Sequence, residues 1–371
     1  MNQDQKSSPP TDLKPAEFRP GDLKSSDLQI ARASEKPAPG SLIMSGMRST
    51  HHLHIGNFHG ALKQWLELQK DYRGFYGVMN WHAMTSRYKE PHEVQRFARE
   101  IFAEWIAWGL NPEQNVIFIQ SEVPEHIELN MFFMMLTPMS WLERVPTWKD
   151  AEEDAKATDT HNLGRFMYPV LQAADIAIYR GTHVPIGQDQ IPHLELSREI
   201  IRRFNFLYGG NLPEPRPIFS ETPTLMGSDG RKMSKSYNNA FNLTQEAEDV
   251  TKTLRLMPTD PARVRRNDPG EPTKCAVFSF HKLYSKSEDL AWVESGCRSA
   301  GIGCGDCKKK LGENIEQQMA GPRMKKRELL ENPSQLDQLI EDGCMRARKE
   351  ARRQLEAVKE WTGIGISYDY P

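Results

Sequence analysis

The chain has 371 residues, of which 38% are hydrophobic and 26% charged; at about 100–200 residues per domain this is two or three domains with enough apolar material for a sizeable core, which excludes wholesale disorder. A net charge of −2, from 48 basic and 50 acidic side chains, excludes a uniformly basic nucleic-acid binder but not a local basic face. Five cysteines are too few for a disulfide scaffold, and no apolar run approaches a membrane span. The first residues carry acidic groups and no apolar run, unlike a secretory leader or an organellar transit peptide. The expectation is a soluble cytoplasmic protein with no membrane partner.

In chain order, residues 1–38 mix Pro, Ser, Lys and Asp without apolar period and read as a flexible polar extension. Residues 39–238 alternate strand and helix patterns. SLIMSG ends a first strand at a glycine turn, and Trp65, Leu66 and Leu68 then recur at helical spacing. GFYGVMNWHAM (74–84) is a second strand candidate. Residues 91–109 read as an amphipathic helix with Pro91 near its start and Gly109 after its last turn. NVIFIQS (115–121) is a buried strand, and 176–187 supply another strand and a loop, while the polar stretch 151–161 reads as surface. This alternation predicts an α/β, Rossmann-like parallel sheet with ligands outside the carboxyl ends of its strands. From 239 to 371, helical periods and basic clusters predict a second, mostly helical domain.

Two segments carry nucleotide chemistry. The first, Ser45-Gly46-Met47-Arg48 through His54-Ile55-Gly56-Asn57, joins a predicted strand to a predicted helix whose free N–H groups favour an anion. The second, Gly227 to Ser236, places Lys232 and Lys235 around Met233 and Ser234 in a small-residue loop suited to neutralising phosphate charge. HIGN (54–57) followed by KMSKS (232–236) resembles the class I aminoacyl-tRNA synthetases, and QSEVPEHIELNMFF, TPMSWLERVPTWKD, YPVLQAADIAIY and GQDQIPHLELSREI are similar to the tryptophanyl branch of that family.

The resemblance implies activation of L-tryptophan by ATP, carried with Mg²⁺, and transfer to tRNA(Trp). It implies that His54, Asn57, Lys232 and Lys235 are the catalytic set. Ser45, Gly46, Arg48, Gly56, Met233 and Ser234 complete the ATP contacts. His82, Tyr168, Gln172, Asp175 and Gln190 form the tryptophan pocket, with Gly187 and Asp189 on the loop between the two substrates. Asp175 also stands out from the residues alone, as a carboxylate inside the apolar run VLQAADIAIY. It is either the acceptor for the indole N–H or a structural cap or ion-pair partner. Asn80 departs from the aspartate common in the family, and Gln172 from its methionine. A homodimer is implied, with 101–109 and MFFMML (131–136) as interface candidates. The tyrosyl enzymes share the fold but would need a partner for a phenolic oxygen.

Cys275, Cys297, Cys304 and Cys307 are spaced C-x21-C-x6-C-x2-C. Four thiolates suit zinc or an iron–sulfur cluster, and the spacing leaves the choice open. The surrounding GCRSAGIGCGDCKKKLGENI resembles the synthetase subgroup with a [4Fe-4S] cluster in its anticodon-binding domain, which makes that cluster the expectation and structural Zn²⁺ the alternative. The flanking Lys308–Lys310, Arg323 and Lys325–Arg327, and the basic helix 344–361, are candidate tRNA-backbone contacts.

Overall fold

The computed structural model describes residues 36–146, 148, 161–219, 227–231 and 239–365. Most of the N-terminal extension, the polar stretch 151–160 and Lys232, Met233, Ser234 and Lys235 lie outside the described residues.

Five short strands, β1 (Leu42–Met47), β2 (Arg73–Val78), β3 (Val116–Ile119), β4 (His183–Ile186) and β5 (Arg216–Phe219), form one parallel sheet in the order β3-β2-β1-β4-β5. VIFI and HVPI are buried along their whole length, as strands covered on both faces must be. The expected strand at 74–84 is shorter than its apolar run. From Asn80 the chain turns into α2 (Asn80–Arg87), because the sheet ends where β2 meets Met79. β5 has only RPIF and no strong pattern, and it forms because β4 offers it an unpaired edge.

Between the strands run α1 (Lys63–Leu68), α3 (Pro91–Ala107), α4 (Glu125–Leu136), α5 (Met139–Glu143), α6 (Leu163–Ala177) and α7 (Ile191–Tyr208). Helix α3 follows its sequence signal closely, with Pro91 in the first turn and a buried stripe through Phe97, Ile101, Phe102 and Trp105. Trp105 is fully buried, so that part of 101–109 packs inward and offers no interface. The sheet order reverses between β1 and β4, and this switch point is where an open α/β sheet leaves a crevice. Gly46 and Gly77 pair across β1 and β2, where a Cβ on Gly46 would stand 2.5 Å from the Gly77 carbonyl oxygen.

The turn after β1 begins with one helical turn, Ile55–Asn57, and passes through a π-helical stretch, Phe58–Leu62, before α1. Such widened turns recur at functional sites. His59, in this stretch, is buried, and burial first, then the Lys63 charge, lowers its pKa to about 4. His193 at the start of α7 is likewise lowered to about 4 by burial. The unfolded chain takes up both protons near pH 6.5, so the folded state binds fewer protons below that value. Stability present at neutral pH is therefore lost as the pH falls from about 6.5 towards 4. The urea midpoint is expected to drop between pH 7 and pH 5, and to drop less in His59→Phe; an equal drop in both would remove His59 from the effect.

The remainder is helical: α8 (Ala247–Leu256), α9 (Ala276–Tyr284), α10 (Ser287–Arg298), α11 (Cys304–Glu331) and α12 (Pro333–Thr362). Helices α11 and α12 do not stand apart from the sheet. α11 lies along α3, and α12 lies along β3, where Cys344 is buried with its Sγ 3.5 Å from the Ile119 amide nitrogen. No helix among the described residues is long and apolar enough to cross a membrane.

Candidate active site

A cavity of about 620 Å³ opens at the switch point, floored by the ends of β1 and β4 and walled by α2, α6 and the turn after β1. Ser45, Gly46, Arg48, Asn57, His82, Tyr168, Gln172, Asp175, Gly187 and Gln190 all line it. Tyr168, Gln172 and Asp175 sit at i, i+4 and i+7 of α6, so one helix face carries them. Gly56, His54 and Asp189 lie beside the cavity and do not line it. The Asn57 side chain accepts from the His54 amide at 3.0 Å, which closes the turn. Asp189 accepts from Gln190 Nε2 at 2.8 Å.

Asp175 is 2% exposed and anchors the deepest polar network. His82 Nε2 stands 2.7 Å from Oδ2, and His126 Nδ1 2.7 Å from Oδ1, which also accepts from Gln120 Nε2 at 2.8 Å. An ionised carboxylate only accepts, so both ring nitrogens facing it carry hydrogens. On the other side of the ring, His126 Nε2 stands 2.7 Å from the Tyr179 hydroxyl. Burial alone raises the Asp175 pKa, but the His126 hydrogen bond and then the His82 charge and bond outweigh it, holding the carboxyl well below its usual range. Burial, and then the Asp175 charge, raises Tyr179 well above its ordinary value, so it keeps its proton. Asp175 is thus a stationary negative acceptor in a cavity whose lining also includes the apolar Met44, Trp65, Met79, Ile176 and Val184.

Nearer the mouth, the Tyr168 hydroxyl and His193 Nε2 are 2.6 Å apart. Arg48 is exposed as a whole residue, yet burial of its charge lowers its pKa, Tyr168 raises it and Arg165 lowers it further. Asn80 does not line the cavity. Its amide donates to Ser121 Oγ at 2.8 Å and accepts from the Ser121 amide at 2.9 Å, so the neutral side chain ties α2 to the end of β3. Sequence reasoning missed Gln120, His126 and Tyr179 behind Asp175, and Thr85, Ser86 and Arg165 at the mouth. Gln120 and His126 stand inside QSEVPEHIELNMFF, so a signal was present, but no local pattern separates them from core polar residues.

Residues 39–319 match the family described as tRNA synthetases class I (W and Y). The chain belongs to the class I tRNA synthetases of this W and Y family. It is 45% identical to the tryptophan–tRNA ligase of Thermotoga maritima, over 85% of this chain and 97% of that protein. It is 38% identical to the tryptophan–tRNA ligase of Ralstonia nicotianae, over 88% of this chain and 99% of that protein. The crystal structure of tryptophanyl-tRNA synthetase from Campylobacter jejuni complexed with ADP and tryptophan superposes with a TM-score of 0.81 at 32% identity, covering 87% of this chain and 99% of that one. A tyrosyl-tRNA synthetase from Archaeoglobus fulgidus, at 17% identity and TM-score 0.60, shares the fold alone.

The expected metal centre is corrected in this synthetase. Among the described residues, no group of three or more His, Cys, Asp or Glu side chains is arranged to hold a metal ion. The [4Fe-4S] cluster expected on Cys275, Cys297, Cys304 and Cys307, the Zn²⁺ alternative and the iron–sulfur subgroup do not stand. The four thiols do share a neighbourhood, but at Cys297 and Cys307 burial favours the protonated form rather than the thiolate that binds metals. Burial, and then the charges of Cys275, Cys297 and Cys304, pushes Cys307 up to about 12, and burial also raises Cys297. Cys307 Sγ meets His281 Nε2 at 3.4 Å, and Cys297 Sγ lies 3.8 Å from Arg263 Nη1.

Several flanking cations also differ from a simple RNA-facing surface. Lys308 donates to the Arg255 and Met257 carbonyls, Lys310 pairs with Asp289 at 3.1 Å, and Arg323 pairs with Glu316 at 2.7 Å. Lys326 is buried.

Proposed function

We infer that this chain activates L-tryptophan with ATP to give tryptophanyl-adenylate and pyrophosphate, then transfers the tryptophanyl group to the terminal ribose of tRNA(Trp), releasing AMP. The observation that carries this reading is its 45% identity to a tryptophan–tRNA ligase across nearly the whole of that protein. The chemistry of the cavity supports it: an indole requires apolar contacts and a fixed acceptor, and Asp175 is a buried anion in a cavity that Met44, Trp65, Met79, Ile176 and Val184 also line.

In this reading, tryptophan enters with its indole N–H on Asp175 and its polar end towards Tyr168, Gln172 and Gln190, while His82 orients the carboxylate of Asp175. ATP, as its Mg²⁺ complex, lies against Ser45, Gly46, Arg48, Gly56 and Asn57, with His54 in the turn and Gly187 and Asp189 between the two substrates. The tryptophan carboxylate attacks the α-phosphate, the bond to the bridging oxygen breaks, and pyrophosphate leaves with the charge that Lys232 and Lys235 neutralise beside Met233 and Ser234. The chain supplies no covalent nucleophile; catalysis comes from positioning and charge stabilisation. Residues 39–238 act as the activation domain and 239–371 as the tRNA-binding domain, in a cytoplasmic homodimer. Met131, Met135 and Met139 are exposed apolar side chains on and after α4 that suit its interface.

Tryptophan is expected to support exchange of labelled pyrophosphate into ATP and tyrosine is not; exchange with tyrosine alone refutes the assignment. Lys235→Ala is expected to slow single-turnover adenylate formation by roughly 10²–10³-fold, the loss typical of one charge-stabilising donor, with tryptophan binding unchanged. An unaltered activation rate would remove Lys235 from the site.

A further inference from the structure

The strap of residues 239–244, which follows the second nucleotide motif in the chain, is bonded to the first. The Ile55 amide donates to the Phe241 carbonyl at 2.9 Å, the Leu243 amide donates to the Leu53 carbonyl at 2.8 Å, and His54 and Asn242 form an antiparallel bridge between these bonds. Leu53 and Asn57, on either side of that bridge, line the cavity. At the front of the strap, the Ser228 amide donates to the Asn239 carbonyl at 2.8 Å, and Asn239 Nδ2 donates to Asp229 at 2.7 Å.

Its other end is fastened through its own Thr244 to one side chain from each of two distant elements. Thr244 Oγ1 donates to Glu104 Oε1 of α3 at 2.8 Å and accepts from Lys326 Nζ of α11 at 3.1 Å. Lys326 Nζ also stands 3.4 Å from Glu104 Oε1. Glu104 is 1% exposed and Lys326 8%. A buried ion pair is weak as a source of stability, because desolvation offsets most of its attraction, and three apolar side chains would fill the same space. What the charged cluster provides instead is direction, since each hydrogen bond holds one geometry. A hydroxyl that donates to one charge and accepts from the other fixes the strap at one height between α3 and α11.

We propose that Glu104, Thr244 and Lys326 are positioning residues for ATP: they lock the strap, and through its two backbone bonds the Leu53–Asn57 turn, to the helical C-terminal region. None of the three lines the cavity, so they act through the turn and not on the nucleotide. This rests on the ligase reading, in which the turn is the ATP wall. It gives the C-terminal helices a part in the activation step in addition to tRNA binding.

Thr244→Val keeps the shape and removes the hydroxyl, and Thr244→Ser keeps the hydroxyl. In tryptophan-dependent pyrophosphate exchange, Thr244→Val is expected to raise the KM for ATP roughly tenfold, about the value of one hydrogen bond to a charged group, with the tryptophan Kd within about twofold of the parent. Thr244→Ser is expected to restore the ATP KM. Unchanged ATP kinetics in Thr244→Val, a serine variant as impaired as valine, or an equal loss of tryptophan affinity would each overturn the proposal. A second arm uses no substrate: amide hydrogen exchange at Ile55 and Leu243 should quicken in Thr244→Val and return to parental rates in Thr244→Ser. Parental protection in the valine variant overturns the lock. Failure of the parent chain to exchange pyrophosphate with tryptophan would instead sink the ligase reading, and the amide arm would still decide whether the strap is held this way.

Discussion

Asp175→Asn is expected to weaken tryptophan binding by roughly five- to 150-fold, the equivalent of about 1–3 kcal/mol, with the ATP contacts left in place. The carboxylate accepts three hydrogen bonds, from His82, His126 and Gln120. An amide offers one oxygen, so its NH₂ must face a group that was donating, and His82 or the Gln120–His126 pair is left opposed. The indole N–H then loses both a charge and a fixed lone pair. Equilibrium titration with tryptophan measures this directly, and parental affinity in the variant would remove Asp175 from the pocket. The pH profile gives a second check. In the folded chain the Asp175 carboxyl is held well below the usual aspartate range, so it stays ionised through that range and its contribution to tryptophan binding is lost only as the pH falls below it. Tryptophan affinity falling on acidification already near pH 6 would have to come from another group.

Gly343→Ala is expected to destabilise the fold by about 3 kcal/mol or more, the upper end of overpacking losses. A Cβ at this position would stand 1.8 Å from the Ile117 carbonyl oxygen, a backbone atom that cannot swing aside. Helix α12 would have to lift from β3, breaking the Cys344 contact with Ile119 and the Arg346 hydrogen bonds to the Pro112 and Asn115 carbonyls. A lower urea midpoint together with faster modification of Cys344 by a thiol reagent is the expected result. Parental stability would mean that the helix does not approach the strand this closely. The effect should reach the site, because β3 runs directly into Gln120, which donates to Asp175.

Much of the α/β region was legible in the residues. The Leu42–Met47 strand, the α3 helix, the turn at His54–Asn57 and the conspicuous Asp175 each depend on a short stretch whose own pattern carries the signal. The α6 ladder of Tyr168, Gln172 and Asp175 is of the same kind, because helical spacing alone puts those side chains on one face. These are local consequences of apolar period, capping and glycine placement.

The rest depended on which distant segments meet. His126 and Gln120 serve Asp175 only because α4 and the end of β3 pack against α6, and nothing within 120–126 announces that contact. Lys326 reads as one of a run of candidate tRNA-backbone contacts, yet α11 turns it inward onto Glu104, a buried carboxylate that would otherwise lack a counter-charge. The cysteine spacing pointed to a metal centre, but spacing counts ligands without fixing their directions or protonation, and the packing of α9, α10 and α11 leaves Cys307 half-buried beside His281 with its pKa pushed up. Sequence by itself thus determined the parallel α/β class, the turn after β1 and the shared face of α6, because each is encoded within a few residues of itself. The tertiary structure alone decided what holds Asp175 ionised, what anchors the strap and where the cysteines point, because those are set by contacts between groups far apart along the chain.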